Sequence, residues 1–176
     1  MDETHVFWIT TRAAGLIALV AASLAVTLGL LMANGALRGH KPAARVTHEA
    51  LSIATIAAIV LHAGALLLDG YISPSLADIT IPFVSDYRPV WTSMGIVAGW
   101  MLLALGLSYY ARGRIGAARW RRLHRWTALA WVLAVVHGLM EGTDSGAAWF
   151  LLTCLAAVLP AAGLLMARLA EDPQPA

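Results

Sequence analysis

Six histidines occur in the 176 residues, and four of them fall in or beside long apolar stretches, where an ionisable ring is costly and usually serves a function. They form two sets: His48 and His62, fourteen residues apart, and His124 and His137, thirteen apart. On α-helices these separations rise by about 21 and 19.5 Å, so each helix offers one imidazole near each face of a bilayer. Two such helices running in the same direction put His48 level with His124 and His62 level with His137. The rotational match is uneven. Fourteen residues leave His48 and His62 about 40 degrees apart around the helix, whereas thirteen leave His124 and His137 about 140 degrees apart. The second set therefore requires local overwinding, a frayed start at Arg121-Arg122-Leu123-His124, or ligands that approach from different flanks of the helix.

Two imidazoles per level are too few for zinc, which takes three or four protein ligands from His, Cys and carboxylates. They suffice for haem iron, which already has four porphyrin nitrogens and needs only two axial groups. The pattern therefore predicts two haem b groups stacked across the membrane, with His48 and His124 on the inner iron and His62 and His137 on the outer. The competing explanation is four isolated histidines, each hydrogen-bonded within a helical bundle.

The elements that must carry these side chains are legible in the composition. The chain is 60% hydrophobic and 12% charged, with a mean hydropathy of +0.73, too apolar for a soluble domain of its size. Most uncharged stretches approach the roughly 20 residues needed to cross a hydrocarbon core. They predict an all-α, polytopic membrane bundle, a single domain over residues 1–176, with about five transmembrane helices near 8–33, 45–69, 89–112, 119–140 and 146–168. The acidic opening Met1-Asp2-Glu3-Thr4-His5 lacks the basic start of a signal peptide, so the first helix is read as retained. The only cysteine, Cys154, lies inside the last span and is read as a packing residue.

Alternating the loops across five spans places ten of the twelve Lys and Arg residues on one side: Arg38, Lys41, Arg45, Arg112, Arg114, Arg119, Arg121, Arg122, Arg125 and Arg168. Asp2, Glu3, Asp69, Asp78, Asp86, Glu141 and Asp144 fall on the other. The positive-inside rule then predicts a multi-pass protein of the cell (plasma or inner) membrane, in contact with lipid, N-terminus outside and C-terminus cytoplasmic. The basic run reads as a cytoplasmic anchor, not a nucleic-acid site. The loop from Gly70 to Arg88 on the outer side, broken by Pro74 and Pro82, is expected to lie on the surface as a lid. No Gly-rich phosphate loop and no flavin or nicotinamide fingerprint is present. Gly95 and Gly99 form a small-xxx-small pair, and Pro160 is expected to kink the last helix.

The histidine spacings, with Thr47-His48-Glu49 and Arg121-Arg122-Leu123-His124-Arg125, resemble the ferric reductase transmembrane-domain family. That family includes the membrane part of NADPH oxidases and the haem-binding membrane subunit of the periplasmic methionine sulfoxide reductase system. The likeness covers all five expected helices. It implies that His48, His62, His124 and His137 ligate two haems that carry electrons across the membrane, as the membrane subunit of an oxidoreductase. The implied flow runs from a cytoplasmic flavin reductase or a membrane quinol to an extracytoplasmic acceptor, either a protein or a small molecule such as ferric iron or oxygen. The chain departs from the oxidases in lacking their flavin and nicotinamide domain and one transmembrane helix. A non-redox membrane protein that binds or conducts metal ions or protons, through the histidines and the outer carboxylates, is the alternative.

Several residues would surround such haems. Arg45, Arg119, Arg122 and Arg125 are candidates to pair with propionates at the inner site, and most of that run reads equally as a solvated anchor. Arg12 sits in the first turns of an apolar span, where an unpaired guanidinium is costly. It is a candidate for an outer-haem propionate or an anionic substrate, with snorkelling to the interface as the alternative. Arg88 is a second outer candidate. Trp131, with Thr55, lies between the two levels, either filling the gap and assisting electron hopping or simply packing. Gly64 and Gly138 are placed to make room for a macrocycle. Glu141, Asp144 and Asp69, with His62, are candidates for an outer metal site or for proton handling, or are solvated helix-end acids. His5 and His40 lie outside the spans and receive no role.

Overall fold

The computed structural model describes residues 3–70 and 72–170. Met1, Asp2, Tyr71 and residues 171–176 fall outside the described residues, and with them the start of the N-terminal opening and one of the acids counted on the outer side. The described chain is helical: α1 Glu3–Ala33, α2 Lys41–Leu67, α3 Leu76–Thr80, α4 Pro89–Leu107, α5 Arg112–Ile115, α6 Ala117–His124, α7 Thr127–Glu141 and α8 Ala148–Ala170, with a 3₁₀ turn at Arg38–His40. Pro42 and Pro89 sit in the first turns of α2 and α4, where a missing N–H leaves no bond unmade.

Four helices, within α1, α2, α4 and α8, are long and apolar enough to cross a membrane. The fourth expected span differs. Instead of one helix over 119–140 it is two, α6 and the 15-residue α7, separated at Arg125–Trp126. Around the break the backbone bonds reach back three residues, Trp126 N to Leu123 O at 3.0 Å and Ala128 N to Arg125 O at 3.2 Å. Such tightening turns the chain about 20 degrees further per residue than an α-helix. It removes the straight-helix assumption behind the poor alignment of His124 with His137. The third span ends at Leu107, before 112, because a series of turns carries the chain from Ser108 to Ala111. The first and second begin earlier than expected, at Glu3 and Lys41.

The outer loop contains the one-turn helix α3. Ser75 caps it by accepting from Asp78 N, while Asp78 accepts from Ser75 N at 2.8 Å, a reciprocal capping box. The Ser75 hydrogen bonds hold the exposed Asp78 carboxyl below its ordinary range. Ser73, Phe83 and Arg88, the non-glycine residues with positive φ among the described residues, all lie in this loop. Trp100 donates to Thr80 O at 2.9 Å, which fastens the loop to the flank of α4.

The most extensive helix contacts are between α1 and α2 and between α4 and α7, while α1 also packs on α8 and α7. Helix α1 is central: Ala14, Ala18, Ala21, Ala22 and Ala25 are buried along it, and small residues permit close approach of neighbours. One core cluster joins Leu19, Phe150 and the buried Cys154, a packing position for the thiol; another joins Ala22, Trp131 and Ala161. Large apolar side chains such as Ile17, Val60, Leu152 and Leu159 face outward, as they do where lipid replaces water.

Candidate functional site: two histidine pairs

Pairing α2 with α1 and α7 with α4 leaves α2 and the α6–α7 segment to present their histidines to one another. His48 meets His124 with ring centroids 6.1 Å apart and planes crossing at 79°. His62 meets His137 with centroids 6.3 Å apart and planes crossing at 78°. The structure thus brings together the two pairs expected from the sequence, level by level.

Three of the four rings are oriented from behind. His48 Nδ1 lies 2.9 Å from Ala25 O, His62 Nδ1 2.8 Å from Thr11 O, and His137 Nδ1 2.9 Å from Trp91 O. A carbonyl only accepts, so Nδ1 carries the proton and Nε2 keeps its lone pair. That is the tautomer of a histidine whose Nε2 ligates a metal, with the second nitrogen donating to a carbonyl. Thr11 reinforces the contact by donating its Oγ1 to His62 O at 2.7 Å.

Glycines make room for these rings. A Cβ at Gly15 would lie 3.0 Å from His62 Nδ1, one at Gly29 3.2 Å from His48 Cε1, and one at Gly95 2.6 Å from His137 Cε1 and Nδ1. In each case the glycine follows the accepting carbonyl by four residues: Thr11 and Gly15, Ala25 and Gly29, Trp91 and Gly95. Sequence reasoning passed over Gly15 and Gly29, although their separation of fourteen equals that of His48 and His62. It assigned Gly95 only to general helix packing. Gly64 has open space around it and Gly138 meets Leu19 at 3.5 Å, so neither adjoins a histidine ring.

Between the levels, the buried Trp131 donates Nε1 to Ser23 Oγ at 2.9 Å, and Thr55 is buried with its Oγ1 bonded to Leu51 O. At the end of the bundle bearing His62 and His137, Arg12 forms an ion pair with Asp144 and lies 4.0 Å over the Trp8 ring. Arg88 donates to Met140 O at 2.6 Å, and Thr92 donates to Glu141 Oε1 at 3.1 Å. Among the described residues no three His, Cys, Asp or Glu side chains form a group able to hold a metal ion. Of the outer carboxylates, Asp144 pairs with Arg12, and Glu141 accepts from Thr92 through Oε1 while its Oε2 is buried without a hydrogen-bond partner. At the opposite end, Arg45, Arg119, Arg122 and Arg125 are exposed around His48 and His124. There Trp120 stacks on His124 with centroids 4.8 Å apart, and Tyr110 donates to Glu49 Oε1 at 2.9 Å, a bond that holds the phenol above its usual range. No protein-family model, curated protein or solved structure matches the chain, so the two histidine pairs carry the functional reading.

Proposed function

We propose that the chain is a dihaem membrane cytochrome of the ferric reductase transmembrane-domain type. His48 and His124 would hold one haem b and His62 and His137 the other. The observation that supports this most is the separation of the rings. A metal–nitrogen bond of about 2 Å on each side, with the radius of an imidazole, sets two axial rings about 6.3 Å apart. The pairs stand at 6.1 and 6.3 Å, with Nδ1 engaged elsewhere in three of the four rings. The residues therefore fit the group. When bound, the two haems supply reversible one-electron carriers at two depths.

The chain's own residues do the rest. The carbonyls of Ala25, Thr11 and Trp91 fix the tautomer and aim of the ligands, and the buried Trp131 excludes water between the two levels. Arg12, now paired with Asp144, would meet a propionate at the His62 level. Arg45, Arg122 and Arg125 are placed to do so at the His48 level. In the bilayer the α6–α7 segment provides the fifth crossing, with the arginine-rich end cytoplasmic and the N-terminus outside. Electrons would pass from a flavin reductase or quinol to an extracytoplasmic acceptor.

The alternative, a histidine and carboxylate path for ions or protons, draws no support from any group of three or more such side chains among the described residues. A reduced-minus-oxidised absorption spectrum of the purified protein separates the two. The cytochrome reading expects b-type bands that vanish when all four histidines are replaced. A featureless spectrum from well-folded protein would instead leave the ion-binding reading standing.

A further inference from the structure

The four imidazoles are not held alike. On α1 and α4 the accepting carbonyls stand at Thr11 and Ala25 and at Trp91, each with a glycine four residues on. The fourth position of this pattern, fourteen residues beyond Trp91, is Leu105, and four residues beyond it stands Tyr109 instead of glycine. His124 Nδ1 is buried and has no partner in ordinary hydrogen-bond geometry, the Leu105 carbonyl being the backbone group that acts on it. The ring is held differently. Trp120, one turn earlier on α6, lies against it with planes 23° apart, and its Nε1 is anchored on Ser108 Oγ at 3.1 Å. Tyr109 packs edge-on against Trp120, with centroids 5.9 Å apart.

We infer that Trp120 is the positioning residue for His124, fixing by stacking the one ligand whose Nδ1 no backbone carbonyl meets in ordinary hydrogen-bond geometry, and that this makes the two haem sites unequal. The inference rests on the dihaem reading. Donation of Nδ1–H to a carbonyl strengthens an imidazole as a ligand, which favours ferric over ferrous iron. Both ligands at the His62–His137 level donate in this way, but only His48 does so at the other level. The His48–His124 site is therefore the higher-potential of the two.

The test is a redox titration of the intact purified protein, followed by absorption and by electron paramagnetic resonance, with haem counted in every sample. His48→Ala and His62→Ala assign the components. The expected result is two components, of which the higher is lost in His48→Ala. Trp120→Leu should shift that component and alter its resonance, or lose that haem alone, while Trp120→Phe, which keeps a stacking ring, restores both readouts. Tyr109→Gly, which removes the ring packed on Trp120, should shift the same component only. If the higher component is the one lost in His62→Ala, or if Trp120→Leu leaves both components in place or moves both equally, the inference is overturned while two haems still stand. A wild-type chain without haem would overturn the dihaem reading itself.

Discussion

At the scale of single residues, the decisive atom is Nδ1. In His48, His62 and His137 it faces a main-chain carbonyl, which commits the proton to Nδ1 and leaves Nε2 with a free lone pair, as the proposed ligation requires. The identities and levels of the four histidines were legible in the sequence, because a rise of 1.5 Å per residue converts spacing into depth. The carbonyl partners were not, since any residue offers a carbonyl and only packing selects one. The plane crossings of 79° and 78° carry a spectroscopic consequence. If the pairs hold haem iron as proposed, crossed imidazole planes leave the iron orbitals that overlap them nearly equal in energy, so the oxidised protein should give a strongly anisotropic low-spin resonance dominated by one low-field feature. A rhombic spectrum of the kind given by parallel planes would contradict the ring geometry. Arg12 shows the opposite limit of sequence reading: its burial cost was evident, but its partner Asp144 is 132 residues away and came only with the fold.

The elements explain why thirteen residues serve as well as fourteen. Helix periodicity argues for a mismatch between His124 and His137 only while the segment is a single straight helix, and the chain breaks at Arg125–Trp126. No proline marks that break, and the adjacent Thr127 donating its Oγ1 to His124 O at 2.7 Å is a local bond that sequence pattern does not single out. The glycine register is the stronger missed signal. Gly15 and Gly29 repeat the histidine spacing on the partner helix, because antiparallel neighbours contacted by equally spaced rings need equally spaced gaps. Gly95→Ala should therefore be among the most damaging small changes, costing about 1–3 kcal/mol from overpacking and displacing His137, whose ring lies 2.6 Å from the new Cβ. Gly64→Ala, which meets nothing within 4 Å, should leave yield and haem content unchanged. Thermal unfolding in detergent and haem content of the two variants check this; equal behaviour would remove the packing argument.

On the scale of the whole molecule, the all-helical, lipid-facing character followed from composition, and four of the long helices meet the requirements for crossing a membrane. The proposed fifth crossing is less plain, because α7 has only 15 residues and would complete its length through α6 beyond the break. The grouping of α1 with α2 and α4 with α7 was not readable from hydropathy, which records what faces lipid but not which small residues meet. It is this grouping that sets α2 opposite α6 and α7. With the arginine-rich end cytoplasmic, a cysteine introduced at Ser85 should react with an impermeant thiol reagent from outside intact cells, and one introduced at Ala118 should not; the reverse pattern would invert the topology.

The central claim is two haems per chain, each held by one histidine pair. Extraction and quantification of haem from the purified protein test it most directly. The expected stoichiometry is two b-type haems per polypeptide, falling to one in His62→Ala and to one in His48→Ala, with a different haem remaining in each. A wild-type preparation without haem, or single replacements that leave both haems bound, would contradict it.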